Sequence, residues 1–166
     1  MSFFIRKKEK TDCKAIAHIV TVCWNETYRG IVPDWYLEEL KANEPKRARA
    51  MEESFNINEN YCFVLEVDNQ VVGFVRYGKS ADKDFDNCGE VIAFYVLKEY
   101  QGQGGGKRLF QEAINALKMM GFDKMIVACL KGNPSNEIYK HMGGKYIKDG
   151  VYERLSLLEN IYYYDI

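Results

Sequence analysis

Histidine and proline are scarce in this chain, with two and three copies in 166 residues. The histidines are His18 and His141, and no metal site is expected. Five cysteines (Cys13, Cys23, Cys62, Cys88 and Cys129) are an odd number without a CxxC pair. They sit mostly inside apolar runs, which argues for buried reduced thiols and a cytoplasmic protein rather than a disulfide framework. The net charge of −1 lacks the basic excess of a nucleic-acid binder. No apolar stretch approaches the ~20 residues of a membrane span. Residues 1–10 carry charges where a signal peptide needs its apolar region, so export is not expected. At 47% apolar and 28% charged residues, the composition is that of one globular domain over residues 1–166.

Against these absences stands one concentration. Gln101-Gly102-Gln103-Gly104-Gly105-Gly106 follows the apolar run Val91 to Leu97 and opens an amphipathic stretch. Four glycines in six positions let backbone N–H groups converge without Cβ obstruction. A helix N-terminus adds unpaired donors and a partial positive charge. Together they make an anion cradle suited to a pyrophosphate. Lys107 lacks the Walker spacing and is followed by Arg108. The GxGxxG-like fragment does not open the chain, and the acid about 20 residues on, Asp123, falls at the wrong kind of position, before the next strand, so neither nucleotide fingerprint is met.

Periodicity supplies the rest of the outline. A short strand, Phe3 to Arg6, precedes a helix capped by Thr11 or Asp12, with apolar Ala15, Ile16, Ile19, Val20, Cys23 and Trp24 at helical spacing. Helices follow after Pro33 and from Pro45 through Phe55. Tyr61 to Val67 and Gln70 to Gly78 form a hairpin around Asp68-Asn69, and Glu90 to Leu97 is a central strand. After the helix Gly104 to Met120 come a strand at Lys124–Leu130, a helix from Pro134 to Met142, and strands near Lys145–Lys148 and Leu155–Asp165.

Gln-x-x-Gly-x-Gly after an apolar strand resembles the acetyl-CoA signature of the GCN5-related N-acetyltransferase (GNAT) superfamily. Asn133-Pro134-Ser135-Asn136-Glu137-Ile138-Tyr139, then Gly143-Gly144, resembles that family's second cofactor segment. The departures are Ile138, where an aromatic is common, and Gly105, where a larger apolar residue is common. The resemblance implies an α/β (α+β) fold with a mixed, mostly antiparallel central sheet and helices on both faces. It implies acetyl-CoA as co-substrate, with the pyrophosphate on Gly102, Gln103, Gly104, Gly105, Gly106 and Lys107 beside Gln101. It places pantetheine along Phe94, Tyr95 and Val96 and against Asn133, which is equally suited to cap the helix at Pro134. Tyr139 matches the tyrosine that protonates the leaving thiolate.

The chemistry sets its own demands. An amine of pKa ~10.4 is neutral about once in 2,500 molecules at pH 7, a penalty of roughly 4–5 kcal/mol. A base is therefore needed. Glu90, eleven residues before Gln101, holds the spacing of the glutamate base in the superfamily's histone acetyltransferases. Strand alternation puts it on one face with Ile92, Phe94 and Val96, where a poorly solvated carboxylate acts through water. Glu26 and water itself stand as alternatives. Neither His18, amid apolar helix positions, nor His141, near a helix end, is a strong catalytic candidate. Trp24, Glu26 and Tyr28 are the acceptor-site candidates, with Trp35 and Tyr36 nearby, although such aromatics more often pack a core. The acidic run Asp82, Asp84, Asp86 is either an attractor of cationic amines or a solvated turn.

The expected function is acetyl-CoA-dependent acetylation of a primary amine by direct attack on the thioester. The alternative is a non-catalytic acyl-CoA-binding sensor. The acceptor, a small molecule or a peptide amine, is left open. A homodimer is compatible with the resemblance, with Tyr162-Tyr163-Tyr164 either near its interface or packed within the chain.

Overall fold

The computed structural model describes residues 2–166. Strands β1 (Phe3–Lys7), β2 (Cys62–Val67), β3 (Gln70–Lys79), β4 (Gly89–Val96), β5 (Lys124–Leu130), β6 (Lys145–Tyr152) and β7 (Leu157–Asp165) form a seven-stranded sheet of order β1-β2-β3-β4-β5-β7-β6. The helices are α1 (Cys13–Thr27), α2 (Asp34–Ala42), α3 (Glu44–Ser54), α4 (Gly105–Met119) and α5 (Ser135–His141). The mixed α/β architecture is the expected one, and most of the registered pairings are antiparallel. The expected element boundaries differ by a residue or two except at β6, which runs on to Tyr152. Asp149 and Gly150 read as a break in sequence, yet ladder pairing with Asn160 and Glu159 carries the strand through them.

The chain divides into two compact units, residues 2–76 with 93–113, and residues 77–92 with 114–166. In the first, β1 pairs with β2 and β2 with β3, both antiparallel. The β2–β3 turn has both central residues at positive φ, Asp68 at 50° and Asn69 at 64°. That is the hairpin geometry matching strand twist, and Asp and Asn tolerate it without glycine. The apolar stripe of α1 buries Ile16, Ile19 and Cys23 against Cys62, Val64 and Phe74. Within this unit β4 has a helix on each face. Phe94 packs on Phe110 of α4, with ring centroids 5.5 Å apart, while Tyr95 lies against Phe74 and bonds Trp24 of α1.

Asp12 stands at the N-cap position of α1, as expected, but its side chain makes no capping bond to that helix. It ends a short 3-10 turn, accepts from Glu9 N at 2.7 Å, and takes two bonds from Arg6 at 2.8 and 3.0 Å. Burial alone would favour the neutral acid, but the Arg6 and Glu9 hydrogen bonds outweigh it and hold the carboxyl below its ordinary range. A depressed folded value means stability that is present above the unfolded pKa and lost as pH falls through the folded one. Asp12→Asn is expected to cost about 2 kcal/mol near neutrality, the scale of a charged hydrogen bond. Urea unfolding from pH 7 down to pH 3 should show the gap to wild type closing in acid. A gap that ignores pH would refute the electrostatic account.

In the second unit β5 pairs with β7 and β7 with β6, both antiparallel, while β4 pairs with β5 in parallel through Gly89↔Met125 and Glu90↔Ile126. Tyr162 and Tyr164 are buried and alternate with the half-exposed Tyr163, whose ring packs on the Cys88–Ile126–Ile161 cluster. The tyrosine run is thus packing within the chain, on a strand flanked on both sides.

Candidate active site

The glycine run is built as a strand-to-helix turn. After β4 the chain makes a 3-10 turn, Lys98–Tyr100, that spends both polar groups of Gln101. Its N–H donates to Lys98 O at 3.2 Å, and its side-chain amide to Val96 O at 2.7 Å. Gln103 likewise donates its side-chain amide to Glu99 O at 3.2 Å. Both glutamine side chains thereby fasten the loop. Gly102 and Gly104 stand at φ +74° and +91°, and a Cβ at either would meet nothing within 4 Å. Backbone conformation, not space, requires glycine there.

Gly105 has the opposite reason. A Cβ on it would lie 3.0 Å from Leu65 Cδ2, so Leu65 fills the room that a larger side chain takes in the family pattern. Arg108 N donates to Gly104 O at 3.2 Å, which opens the α4 ladder. The amides of Gly105, Gly106 and Lys107 precede that ladder and are the orphan donors of the helix. No acid occupies the first turn of α4, and Lys107 and Arg108 are exposed beside it. These residues fit an anionic diphosphate: convergent donors, a helix dipole and two cations without a competing carboxylate.

Trp24 and Tyr28 are buried, at 9% and 6% exposure, with their rings 4.3 Å apart. Trp24 Nε1 donates to the Tyr95 hydroxyl at 3.0 Å, and Tyr36 lies against the Trp24 ring at 5.6 Å. The aromatic group is therefore largely core, tying α1 and α2 to β4, while Glu26 and Trp35 are the exposed members. His18 is also exposed, its ring 3.2 Å from Glu44 rather than amid apolar neighbours. A cavity of 800 Å³ in the same unit is lined by Lys7, Lys8, Lys10, Phe55 and Tyr61, among others, and by none of the predicted site residues.

In the second unit Asn133 does cap: its Oδ1 accepts from Ser135 N at 2.8 Å, and Pro134 already has helical angles. Tyr139 is buried in α5, its ring 6.2 Å from Tyr162. Its carbonyl accepts from Tyr164 Oη at 2.8 Å and from Gly144 N at 3.0 Å. Gly144 is demanded by space, since a Cβ there would sit 2.7 Å from Tyr164 Oη and 2.8 Å from Tyr139 O. Asn136, which sequence reasoning passed over, is buried and bonded on every side. A polar residue three before a motif tyrosine on a two-turn helix was the only available signal.

Glu90 is half-buried. A Cβ on Gly89 would lie 2.8 Å from Leu117 of α4, and Cys88 packs with Ile126 and Ile161. Glu90 pairs with Ile126 and alternates with Gly89, so it lies on the Cys88–Ile126–Ile161 side. Of the acidic run, Asp84 is ion-paired with Lys148 and Asp82 accepts from Asp84 N at 2.9 Å, so that segment is an ordered turn.

The comparisons with known proteins converge. The model of the Acetyltransferase (GNAT) family matches residues 24–143. YuaI of Bacillus subtilis (strain 168), described as an uncharacterized N-acetyltransferase, is 29% identical over 139 residues, covering 82% of this chain and 76% of its own. The PaiA N-acetyltransferase from Thermoplasma acidophilum, solved in complex with coenzyme A, superposes with a TM-score of 0.77 at 22% identity over 100% of both chains. YncA, a putative acetyltransferase from Salmonella typhimurium solved with acetyl-CoA, gives 0.67 at 20% identity over 99% of this chain and 94% of its own. These two likenesses establish the fold, and the match over residues 24–143 establishes the family. The chain belongs to the acetyltransferase (GNAT) family.

Proposed function

We propose that this acetyltransferase moves the acetyl group of acetyl-CoA to a primary amine by direct attack of the amine on the thioester. The observation that carries the reading is the cradle: two glycines held at positive φ, followed by three helix-start amides without an acid beside them. When bound, acetyl-CoA supplies the activated acyl carbonyl. The amides of residues 102–107 hold its diphosphate, with Lys107 adding charge. The backbone of Phe94, Tyr95 and Val96 runs along the pantetheine arm. Asn133 meets the same arm while keeping its cap, because a carboxamide oxygen accepts two hydrogen bonds.

Two side chains handle protons. Glu90 takes the proton of the incoming ammonium, directly or through water, from a sheet face otherwise made of Cys88, Ile126 and Ile161. Tyr139 donates to the departing thiolate. Trp24 and Tyr28 form a rigid backing to the acceptor, and the exposed Glu26 attracts its charge. Direct attack is favoured over a cysteine-linked intermediate because burial pushes Cys23 and Cys129 up to about 12 and Cys62 to about 11. Thiols that weakly ionised are poor nucleophiles. Five buried thiols without a disulfide also fit the reducing cytoplasm, and among the described residues no helix is long and apolar enough to cross a membrane.

The test is thermal stability with acetyl-CoA, desacetyl-CoA and ATP, beside thiol release over pooled amines. Stabilisation by acetyl-CoA but not ATP, with amine-dependent release, is the expected result. Stabilisation without turnover of any amine would favour the sensor reading. For the base, Glu90→Gln should remove the acid-side inflection from the pH profile of kcat/KM and depress the rate by about 10²-fold. An unaltered profile would pass the role to Glu26 or to water.

A further inference from the structure

We propose that Asn136, together with Tyr162 and Tyr164 of β7, forms a polar clamp that sets the pose of Tyr139; the inference rests on the reading of Tyr139 as the proton donor. Helix α5 has only seven residues, too short to hold itself in water. Its apolar packing is thin: the buried residues are Asn136 and Tyr139, whose ring lies against Tyr162, while Ile138 is 48% exposed. Polar bonds add the direction that this packing lacks.

Asn136 supplies most of them. Its Nδ2 donates to Leu130 O at 2.9 Å and to Asn133 O at 2.8 Å. Its Oδ1 accepts from Tyr162 Oη at 2.7 Å and from Asn160 Nδ2 at 3.0 Å. A carboxamide has two donors and two acceptor positions, so all four are filled and the group has no alternative orientation. These bonds join the first turn of α5 to the end of β5, to β7 and to the Asn133 cap. Tyr139 lies three residues on and so on the same side of the helix.

The second grip falls on Tyr139 itself. Tyr162 and Tyr164 are two residues apart on β7 and project to one face. Tyr162 reaches Asn136, and Tyr164 Oη donates to Tyr139 O at 2.8 Å. Gly144 closes the same carbonyl from the other side, in a space that admits no Cβ. One strand thus grips successive turns of α5 through two hydroxyls. The clamp also explains why Tyr162 and Tyr164, rather than phenylalanines, occupy buried positions.

The decisive variants are Tyr162→Phe, Tyr164→Phe and Asn136→Leu. The first two keep the ring and delete one hydroxyl, so they remain informative if Asn136→Leu fails to fold. Thiol release with acetyl-CoA and an amine that the pooled assay turns over is expected to show kcat lowered about 10-fold, with acceptor KM and coenzyme A affinity within two-fold of wild type. A merely structural role would lower kcat and the active fraction in step and leave the pH profile in place, which would overturn the clamp. Tyrosine labelled at Cζ with carbon-13 gives a reading independent of turnover. The Tyr139 titration midpoint should move by half a unit or more in Tyr162→Phe and Tyr164→Phe, and an unmoved midpoint refutes the proposal. If wild type acetylates no amine, or Tyr139→Phe keeps full activity, the functional reading fails while this titration still decides the clamp.

Discussion

Tyr139→Phe is expected to lower kcat by about 100-fold, the lower end of what a positioned general acid contributes. The substitution is conservative where it matters for folding. The Tyr139 ring keeps its place against Tyr162, and its carbonyl keeps the bonds from Tyr164 and Gly144. Coenzyme A affinity, which depends on the cradle, is expected to stay within two-fold. The loss is then concentrated in the chemical step, where 100-fold corresponds to about 2.7 kcal/mol of transition-state stabilisation. The physical reason is a mismatch of acidities. A thiol of pKa ~8.5 leaves reluctantly as a bare anion from a low-dielectric site, and a phenol of pKa ~10 shares its proton as charge develops. Steady-state thiol release and calorimetry with coenzyme A check the two halves of the statement. An unchanged kcat would remove Tyr139 as the acid, and a parallel loss of coenzyme affinity would recast it as a binding residue.

Gly104→Val weakens coenzyme A binding by about 10- to 100-fold, which is ~1.4–2.7 kcal/mol. Gly104 sits at φ +91°, where a β-branched residue is strained by about 1–3 kcal/mol. Because a Cβ there would touch nothing within 4 Å, the effect comes from the backbone alone. The loop either bears the strain or leaves the left-handed region and turns its amides away from the anion. Gly106→Ala is the matched control. Its new Cβ would stand 3.5 Å from Val96 Cγ2 and 3.7 Å from Phe94 Cζ, ordinary contacts that leave the amide in place. Calorimetry with coenzyme A should find Gly106→Ala within about two-fold of wild type. Equal losses in the two variants would show that the glycines serve packing, and no loss in Gly104→Val would undo the cradle.

The elements easiest to read in the sequence were those held by local rules. The α1 stripe, the Asp68-Asn69 turn and the β5 boundaries follow from side-chain period and turn chemistry, which act within a few residues. The glycine run was legible for the same reason, since a strand-to-helix turn with free amides is a local object. Long-range contacts decided the rest. β6 runs past Lys148 because β7 pairs with it, and no propensity within Asp149-Gly150 says so. Asp12 holds the N-cap position of α1 without a capping bond because Arg6, on β1, and the Glu9 amide claim its carboxylate.

By itself the sequence determined the family, the order of elements and the positions of the anion loop and the motif tyrosine, because each rests on neighbours in the chain. Only the tertiary structure decided that Glu90 lies beside Cys88 and Ile126, that Trp24 and Tyr28 are largely core, that Leu65 fills the space beside Gly105, and that Asn136 grips β5 and β7. Those outcomes depend on which groups meet across the sheet, and burial and hydrogen-bond satisfaction become definite only when both partners are in place.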